Sequence, residues 1–389
     1  MTTNHPYEER RARVREIASA RGHDAVLVIG RAADRAGDLE YLCDHVPFLS
    51  GHVSRFTVKG RGFGALLIPT DTEQPVRLLV TTPFYRPAVA VDIIEVNPNF
   101  PQGLARLLEQ SGLEHADIGL GGFDVLTAML YQDLTRLAPG ALFRQADDIV
   151  SGLRAVKSAE EIAIIERGAH ISDEVSDLVR DAIRPGVTEL EMSSLIISEL
   201  ARRGVDAPFA TCQSGVQRSG EPFIAPPASD RVIEENDLVH MEINGKLDGY
   251  RIDICRATVV GKGTDDRIHL LETALNMLEE TIKATRPGVT GEYLERLGAK
   301  IARDAGYKDN FAFAHGGPGT YLGHGIGLGI DEPPILSEGD KTLLQAGMVL
   351  TIEPGLYRTP AGGARIEDEV LVTEDGARVL NRSERRWWA

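Results

Sequence analysis

Asp237-Leu238-Val239-His240-Met241-Glu242-Ile243-Asn244 is followed, across Gly245 to Asp248, by Gly249-Tyr250-Arg251-Ile252-Asp253-Ile254-Cys255-Arg256. Two β-rich runs flanking a short polar loop spell an antiparallel hairpin with a longer connection. Side chains alternate between faces along each run. His240, Glu242 and Asn244 therefore share one face, and Arg251, Asp253 and Cys255 share one face of the partner strand. Glu242 stands between Met241 and Ile243, and Asp253 between Ile252 and Ile254. Carboxylates set in such apolar strands are almost never fully buried without a partner, which a cation would supply. A hairpin with one solvated face carries the same pattern, so the choice depends on what accompanies it.

Three downstream segments supply that company. Leu322-Gly323-His324-Gly325-Ile326-Gly327-Leu328 sets a histidine among glycines. Gly347-Met348-Val349-Leu350-Thr351-Ile352-Glu353-Pro354-Gly355 ends an apolar strand on a glutamate and a turn. Ala364-Arg365-Ile366-Glu367-Asp368-Glu369-Val370-Leu371-Val372 places a further acid inside an apolar strand. The joint order is acid, acid, His, Glu, Glu.

With these contexts the chain resembles the creatinase/prolidase/aminopeptidase P superfamily over nearly its whole length. Arg154-Ala155-Val156-Lys157-Ser158-Ala159-Glu160-Glu161-Ile162 is similar to the segment that opens the catalytic domain in prolidase-like members. The resemblance implies an α+β protein: a pita-bread catalytic domain over 154–389, preceded by an α/β creatinase-type domain over 1–153. It implies a dinuclear centre whose Asp, Asp, His, Glu, Glu ligands fall on Glu242, Asp253, His324, Glu353 and Glu367. Asp253 and Glu367 would bridge, with Glu353 also serving as proton shuttle. It further implies a homodimer in which the amino-terminal domain covers the neighbouring subunit's site. A set of four carboxylates and one imidazole suits manganese, iron or cobalt better than zinc, one or two ions per subunit.

The departures carry as much information. Glu242 stands where the family has Asp. Its extra methylene moves the carboxylate outward by about 1.5 Å, whereas metal–oxygen distances tolerate about ±0.2 Å. The ion on the Glu242 side is therefore expected to be weakly held, and that on the His324 side better retained. The family's three substrate-placing histidines are missing. Gly220–Pro227 contains none, Thr320 stands four positions before His324, and Asp331 seven positions after it. His240 and His315 remain as substitutes. Asp331 is assigned catalysis with Glu353, and His240, Asp331 and Arg365 are assigned substrate binding.

Three classes of function follow. The first is metal-dependent hydrolysis of a small amide or peptide, Xaa-Pro peptidase-like but with a specialised substrate. The second is a metal-dependent lyase using Asp331, in the manner of the dimethylsulfoniopropionate lyase of this superfamily. The third is a non-catalytic binding module.

Composition sets the outer bounds. At 389 residues the chain has room for two cored domains. A formal charge of −16 argues against nucleic-acid or anionic-membrane partners. No run approaches a membrane span, and Met1 to Arg13 is polar, which reads as cytoplasmic. Cys43, Cys212 and Cys255 form neither a disulfide framework nor a thiolate zinc site, and Cys255 reads as a small filler beside the site. The Gly30–Gly37 loop lacks the glycine spacing of a nucleotide site. Helices are expected over 7–21, 104–113, 126–137, 158–183, 188–203, 267–284 and 291–305, with capping boxes at Ser158/Glu161 and Thr188/Glu191. Arg184-Pro185-Gly186 and Arg286-Pro287-Gly288 each separate two helices, a weak internal repeat.

Overall fold

A computed structural model of the chain describes residues 5–32, 37–47, 59–219, 227–311 and 321–388. The chain divides into two compact units, residues 1–154 and 155–389. No described helix is long and apolar enough to cross a membrane.

The first unit comprises α1 (His5–Ala20), β1 (Ala25–Arg31), α2 (Gly37–Cys43), β2 (Phe63–Pro69), β3 (Arg77–Val80), β4 (Ile93–Val96), α3 (Phe100–Gln110), β5 (Asp117–Gly121), α4 (Ala128–Leu137), β6 (Leu142–Gln145) and α5 (Asp147–Ala155). Its strands form one mixed sheet in the order β4-β3-β2-β1-β5-β6. Apolar residues of β1, β2 and β5, including Leu27, Leu67 and Leu120, pack against Leu104, Leu107 and Leu130 of α3 and α4. Helix α3 starts where Asn99 accepts a hydrogen bond from the Gln102 amide, and Pro101 costs nothing in the first turn. Helices α2 and α5 and strand β6 are not evident from periodicity because they are short and flanked by charge.

His45 in this unit is 1% exposed. Burial and the nearby Arg86 charge push its imidazole down to about 4. Above the unfolded value near 6.5 the ring is neutral in both states, so the folded state loses nothing. As pH falls from about 6.5 to about 4 the unfolded chain takes up a proton that the folded one refuses. Up to about 3 kcal/mol of stability is then lost. Urea titrations at pH 7 and pH 4.5 on the protein and on His45→Gln are expected to show this slope shrinking in the variant. Identical pH dependence in both would count against it.

The second unit comprises α6 (Ala159–Ala182), α7 (Glu189–Arg202), β7 (Asp206–Ser214), α8 (Gly215–Ser219), β8 (Leu238–Leu247), β9 (Tyr250–Val259), α9 (Asp265–Ala284), α10 (Gly291–Asp304), β10 (Tyr321–Gly325), β11 (Glu332–Ser337), β12 (Val349–Ile352), β13 (Gly355–Thr359), β14 (Gly362–Arg365), β15 (Asp368–Val372) and β16 (Ala377–Val379). Both expected capping boxes form, with the Ser158 and Thr188 hydroxyls each accepting from the amide of the glutamate three positions on.

The unit is built as two like halves. Val175, Val179, Ile196 and Leu200 of α6 and α7 pack on Ile243, Ile252 and Ile254 of the sheet β7-β8-β9. Leu271, Leu278 and Leu294 of α9 and α10 pack on Leu322, Leu350 and Val370 of the sheet β11-β10-β12-β15-β16. The Arg-Pro-Gly repeat has a matching structural counterpart. The amides of Gly186 and Gly288 donate to Ile233 and Leu344 carbonyls, and Thr188 and Thr290 each cap the next helix.

The hairpin is tighter than its composition suggests. Leu247 pairs with Tyr250, so the strands run through Gly245–Leu247 and close on a two-residue turn. Asp248 and Gly249 both have positive φ, +49° and +89°, the geometry that Asp-Gly favours in hairpins. Asn244 stands opposite Asp253 and Glu242 opposite Cys255. The two polar rows therefore lie on one common face. Glu367 is a second correction: it falls in a break between β14 and β15, not inside a strand.

Candidate metal centre

Each acid and imidazole of the site arrives on a different element. Glu242 comes from β8, Asp253 from β9, His324 from β10, Glu353 from the end of β12, and Glu367 from the β14–β15 break. His324 is positioned by a close backbone approach. Gly323 sits at φ +153°, and a Cβ there would lie 2.1 Å from the Thr351 carbonyl oxygen on β12. Only glycine lets the two strands approach so closely. Glu367 is set against the hairpin by its amide, which donates to the Cys255 carbonyl at 3.0 Å.

The imidazole orientation is defined. His324 Nδ1 lies 3.0 Å from the Gly325 carbonyl and must donate to it, so Nε2 faces the acids. Around Nε2 stand Glu353 Oε1 at 3.2 Å, Asp331 Oδ1 at 3.3 Å and Asp253 Oδ2 at 3.6 Å. Ligand atoms of Asp253, His324 and Glu367 all lie within 4.8 Å of one another. Glu367 is 1% exposed, and neither of its carboxylate oxygens has a hydrogen-bond partner. Two buried oxygen atoms without donors, beside an imidazole nitrogen aimed the same way, fit a divalent cation.

The electrostatics agree. Burial, then the negative charges of Glu367 and Glu242, hold the Asp253 carboxyl well above its ordinary range. Burial, then Glu353 and Glu242, does the same to Glu367. Burial pulls the His324 imidazole down, but Glu353 and Asp331 outweigh it and leave it raised. Carboxylates crowded at low dielectric resist ionising together, and a divalent ion would reverse that preference.

Arg365 is the feature least anticipated. Expected to bind substrate, it is 2% exposed and lies within the acid cluster. Its Nη1 donates to Glu353 Oε2 at 2.8 Å, its Nη2 donates to Glu242 Oε2, and Glu367 Oε2 is 3.7 Å from Nη2. Burial works against the guanidinium's charge, but Glu242 and Glu353 hold it firmly protonated.

The other assigned residues fall at different depths. Asp331 is at the open side, its side chain 53% exposed. His240 is buried, with Nε2 bonded to Gln213 Oε1 and its ring edge-on to Tyr357, and burial followed by Arg365 pushes it down to about 3. It stays a neutral imidazole on the same face of β8 as Glu242. His315, Thr320 and Gly220–Pro226 lie outside the described residues. Cys255 is buried, and burial pushes its thiol up to about 12, consistent with a filler.

Supporting residues complete the arrangement. Lys157 Nζ reaches Glu332 Oε2 at 3.4 Å, and Glu332 Oε1 accepts from the Gly329 amide at 2.6 Å, fixing the turn that carries Asp331. The Asp253 amide donates to Glu369 Oε1 at 2.9 Å. Alternation along Glu367-Asp368-Glu369 was the available signal for Glu369; nothing local pointed to Glu332.

Comparison with known proteins agrees with this geometry. Residues 163–374 match metallopeptidase family M24. An Xaa-Pro dipeptidase of Pyrococcus furiosus is 36% identical over 244 residues, 62% of this chain and 68% of that one. The prolidase structure from Pyrococcus horikoshii superposes with a TM-score of 0.80 at 26% identity, covering 97% of this chain and 99% of that one. An Xaa-Pro dipeptidase structure from Bacillus anthracis gives 0.81 at 26% identity, covering 97% and 98%. The fold is thus the pita-bread fold of the creatinase/prolidase/aminopeptidase P superfamily, and the activity it carries is that of a metallohydrolase. With more than half its length matched, the chain belongs to metallopeptidase family M24.

Proposed function

We propose that this chain hydrolyses the C–N bond of short peptides or their amides, close to the Xaa-Pro dipeptidase reaction but with a shifted substrate preference. The carrying observation is Glu353, one oxygen 3.2 Å from His324 Nε2 and the other 2.8 Å from Arg365 Nη1. Asp253, His324 and Glu367, joined by Glu353, would hold a divalent ion. That ion would supply Lewis acidity toward the scissile carbonyl and lower the pKa of the attacking water.

The chain's own part is proton handling and placement. Glu353 Oε1 takes the proton as water adds to the carbonyl carbon, and returns it to the amine nitrogen as the C–N bond breaks. Water is consumed, and one acid and one amine leave. Arg365 keeps Glu353 Oε2 occupied, so that Oε1 is the atom presented to the proton. Asp331 adds a negative charge on the open side, which disfavours a free substrate carboxylate there. Neither the lyase nor the binding-module alternative finds support among the relatives.

Purified protein loaded with manganese is expected to release the amino-terminal residue from Xaa-Pro dipeptides and, faster, from their C-terminal amides. Release should cease on chelation and return with added metal, as followed by mass spectrometry. A metal-loaded protein that cleaves neither series would overturn the assignment, and faster cleavage of the free acids would remove the part given to Asp331.

A further inference from the structure

We infer that the centre holds a single divalent ion, because Arg365 is the resident cation of its Glu242 half and Asp331 completes the ligands of its His324 half. The inference rests on the metal-centre reading above and specifies its stoichiometry.

The two halves of the acid cluster are differently provided. On one side, the Arg365 guanidinium bonds Glu242 and Glu353 and lies 3.7 Å from Glu367. A planar fork matches paired carboxylates better than any other side chain and cannot be deprotonated, so it competes with an ion on permanent terms. The reach of Glu242 suits this arrangement, since its extra methylene brings the carboxylate to the guanidinium. Among the described residues this half therefore has its positive charge built in, on a side chain that is 2% exposed.

On the other side, His324 Nε2 faces three carboxylate oxygens within 3.6 Å, and one of them belongs to Asp331. Glu367 adds two buried oxygens without hydrogen-bond partners. Asp253, His324 and Glu367 have ligand atoms within 4.8 Å of one another, and with the Glu353 and Asp331 oxygens that also face Nε2 they offer one hard ion its donors without Glu242. Asp331 is held at that distance by its turn, which the Lys157–Glu332 pair and the Glu332–Gly329 bond anchor. Its Oδ1 is thus an added ligand, while the rest of the half-exposed carboxylate stays on the open side.

The test is metal counting, independent of turnover. Titration of the metal-free protein with manganese, read by calorimetry and elemental analysis, is expected to saturate at one ion per chain. The manganese should give an isolated-ion electron paramagnetic resonance spectrum without exchange coupling. Asp331→Asn, at an exposed position, is expected to weaken binding at least ~10-fold with the stoichiometry unchanged. Arg365→Gln is expected to raise the stoichiometry toward two, whereas Arg365→Lys keeps it at one. Where Arg365→Gln fails to fold, the Lys variant and the unmodified protein still decide the count.

Two ions with a coupled spectrum in the unmodified protein would overturn the inference and leave the metallohydrolase reading intact. Unchanged affinity in Asp331→Asn would overturn the role given to Asp331. No binding at millimolar manganese would overturn the metal-centre reading itself, and this inference with it.

Discussion

Glu353→Gln is expected to lower kcat by about 10²–10⁴-fold, the range for loss of a positioned acid–base group. The replacement keeps the side chain's length and volume, so packing against β12 and the Glu353 amide's bond to the Leu322 carbonyl should persist. Its amide oxygen can still accept from Arg365, which meets Glu353 Oε2 at 2.8 Å. What is lost is a basic oxygen beside His324, 3.2 Å from Nε2, able to hold a proton between water attack and amine departure. Asp253, His324 and Glu367 retain their mutual geometry, so metal binding should weaken far less than turnover. The decisive pair of measurements is kcat and metal stoichiometry on the same sample. A kcat within tenfold of the unmodified protein would remove Glu353 as the base. Loss of the ion in parallel with turnover would instead make it chiefly a ligand.

Much of this arrangement is legible in the chain because strand alternation is a strict period. His240, Glu242 and Asn244 had to share a face once β8 was recognised, and antiparallel pairing put Asp253 and Cys255 on that same side. The helix starts were equally readable, because Ser158/Glu161 and Thr188/Glu191 satisfy helix-end amides locally. Readings failed where local composition was outweighed by geometry. The polar run Gly245–Asp248 resembles a long loop, yet the Asp-Gly pair closes the hairpin in two residues. Glu367 sits among apolar residues as if within a strand, yet the chain breaks there.

Arg365 was legible only as a charged residue near the motif. Its pairing depends on Glu242 and Glu353 converging from 123 and 12 residues away, which no window of sequence displays. The fold brings an arginine into the cluster that reads in sequence as four carboxylates and one imidazole. That is why the inferred number of ions rests on tertiary structure, while the candidate ligand types are legible in sequence.

The same reasoning identifies the residue whose loss should cost most stability. Asp368 lies between Glu367 and Glu369, pointing the opposite way, and is 0% exposed. Its Oδ1 accepts from Arg256 Nη2 at 2.9 Å, and its Oδ2 accepts from Arg385 Nε. Arg256, also 0% exposed, donates further to the Cys255 and Glu367 carbonyls and to Ser383 Oγ. This guanidinium fastens β9 to β15 directly behind the site. Asp368→Ala leaves it buried with carbonyl and hydroxyl partners but no carboxylate, a change expected to cost about 3–5 kcal/mol in denaturant unfolding. Arg256→Met combined with Asp368→Ala should recover a large part of that loss, because the uncompensated charge is then gone. The single variant should also weaken manganese binding by about 10–100-fold, since Asp368 is flanked by Glu367, just before β15, and by Glu369, which bonds the Asp253 amide. A cost below about 1 kcal/mol, in the range of an exposed pair, would show that Arg256 finds its counter-charge elsewhere. A full stability loss with undiminished metal affinity would separate the latch from the site it backs.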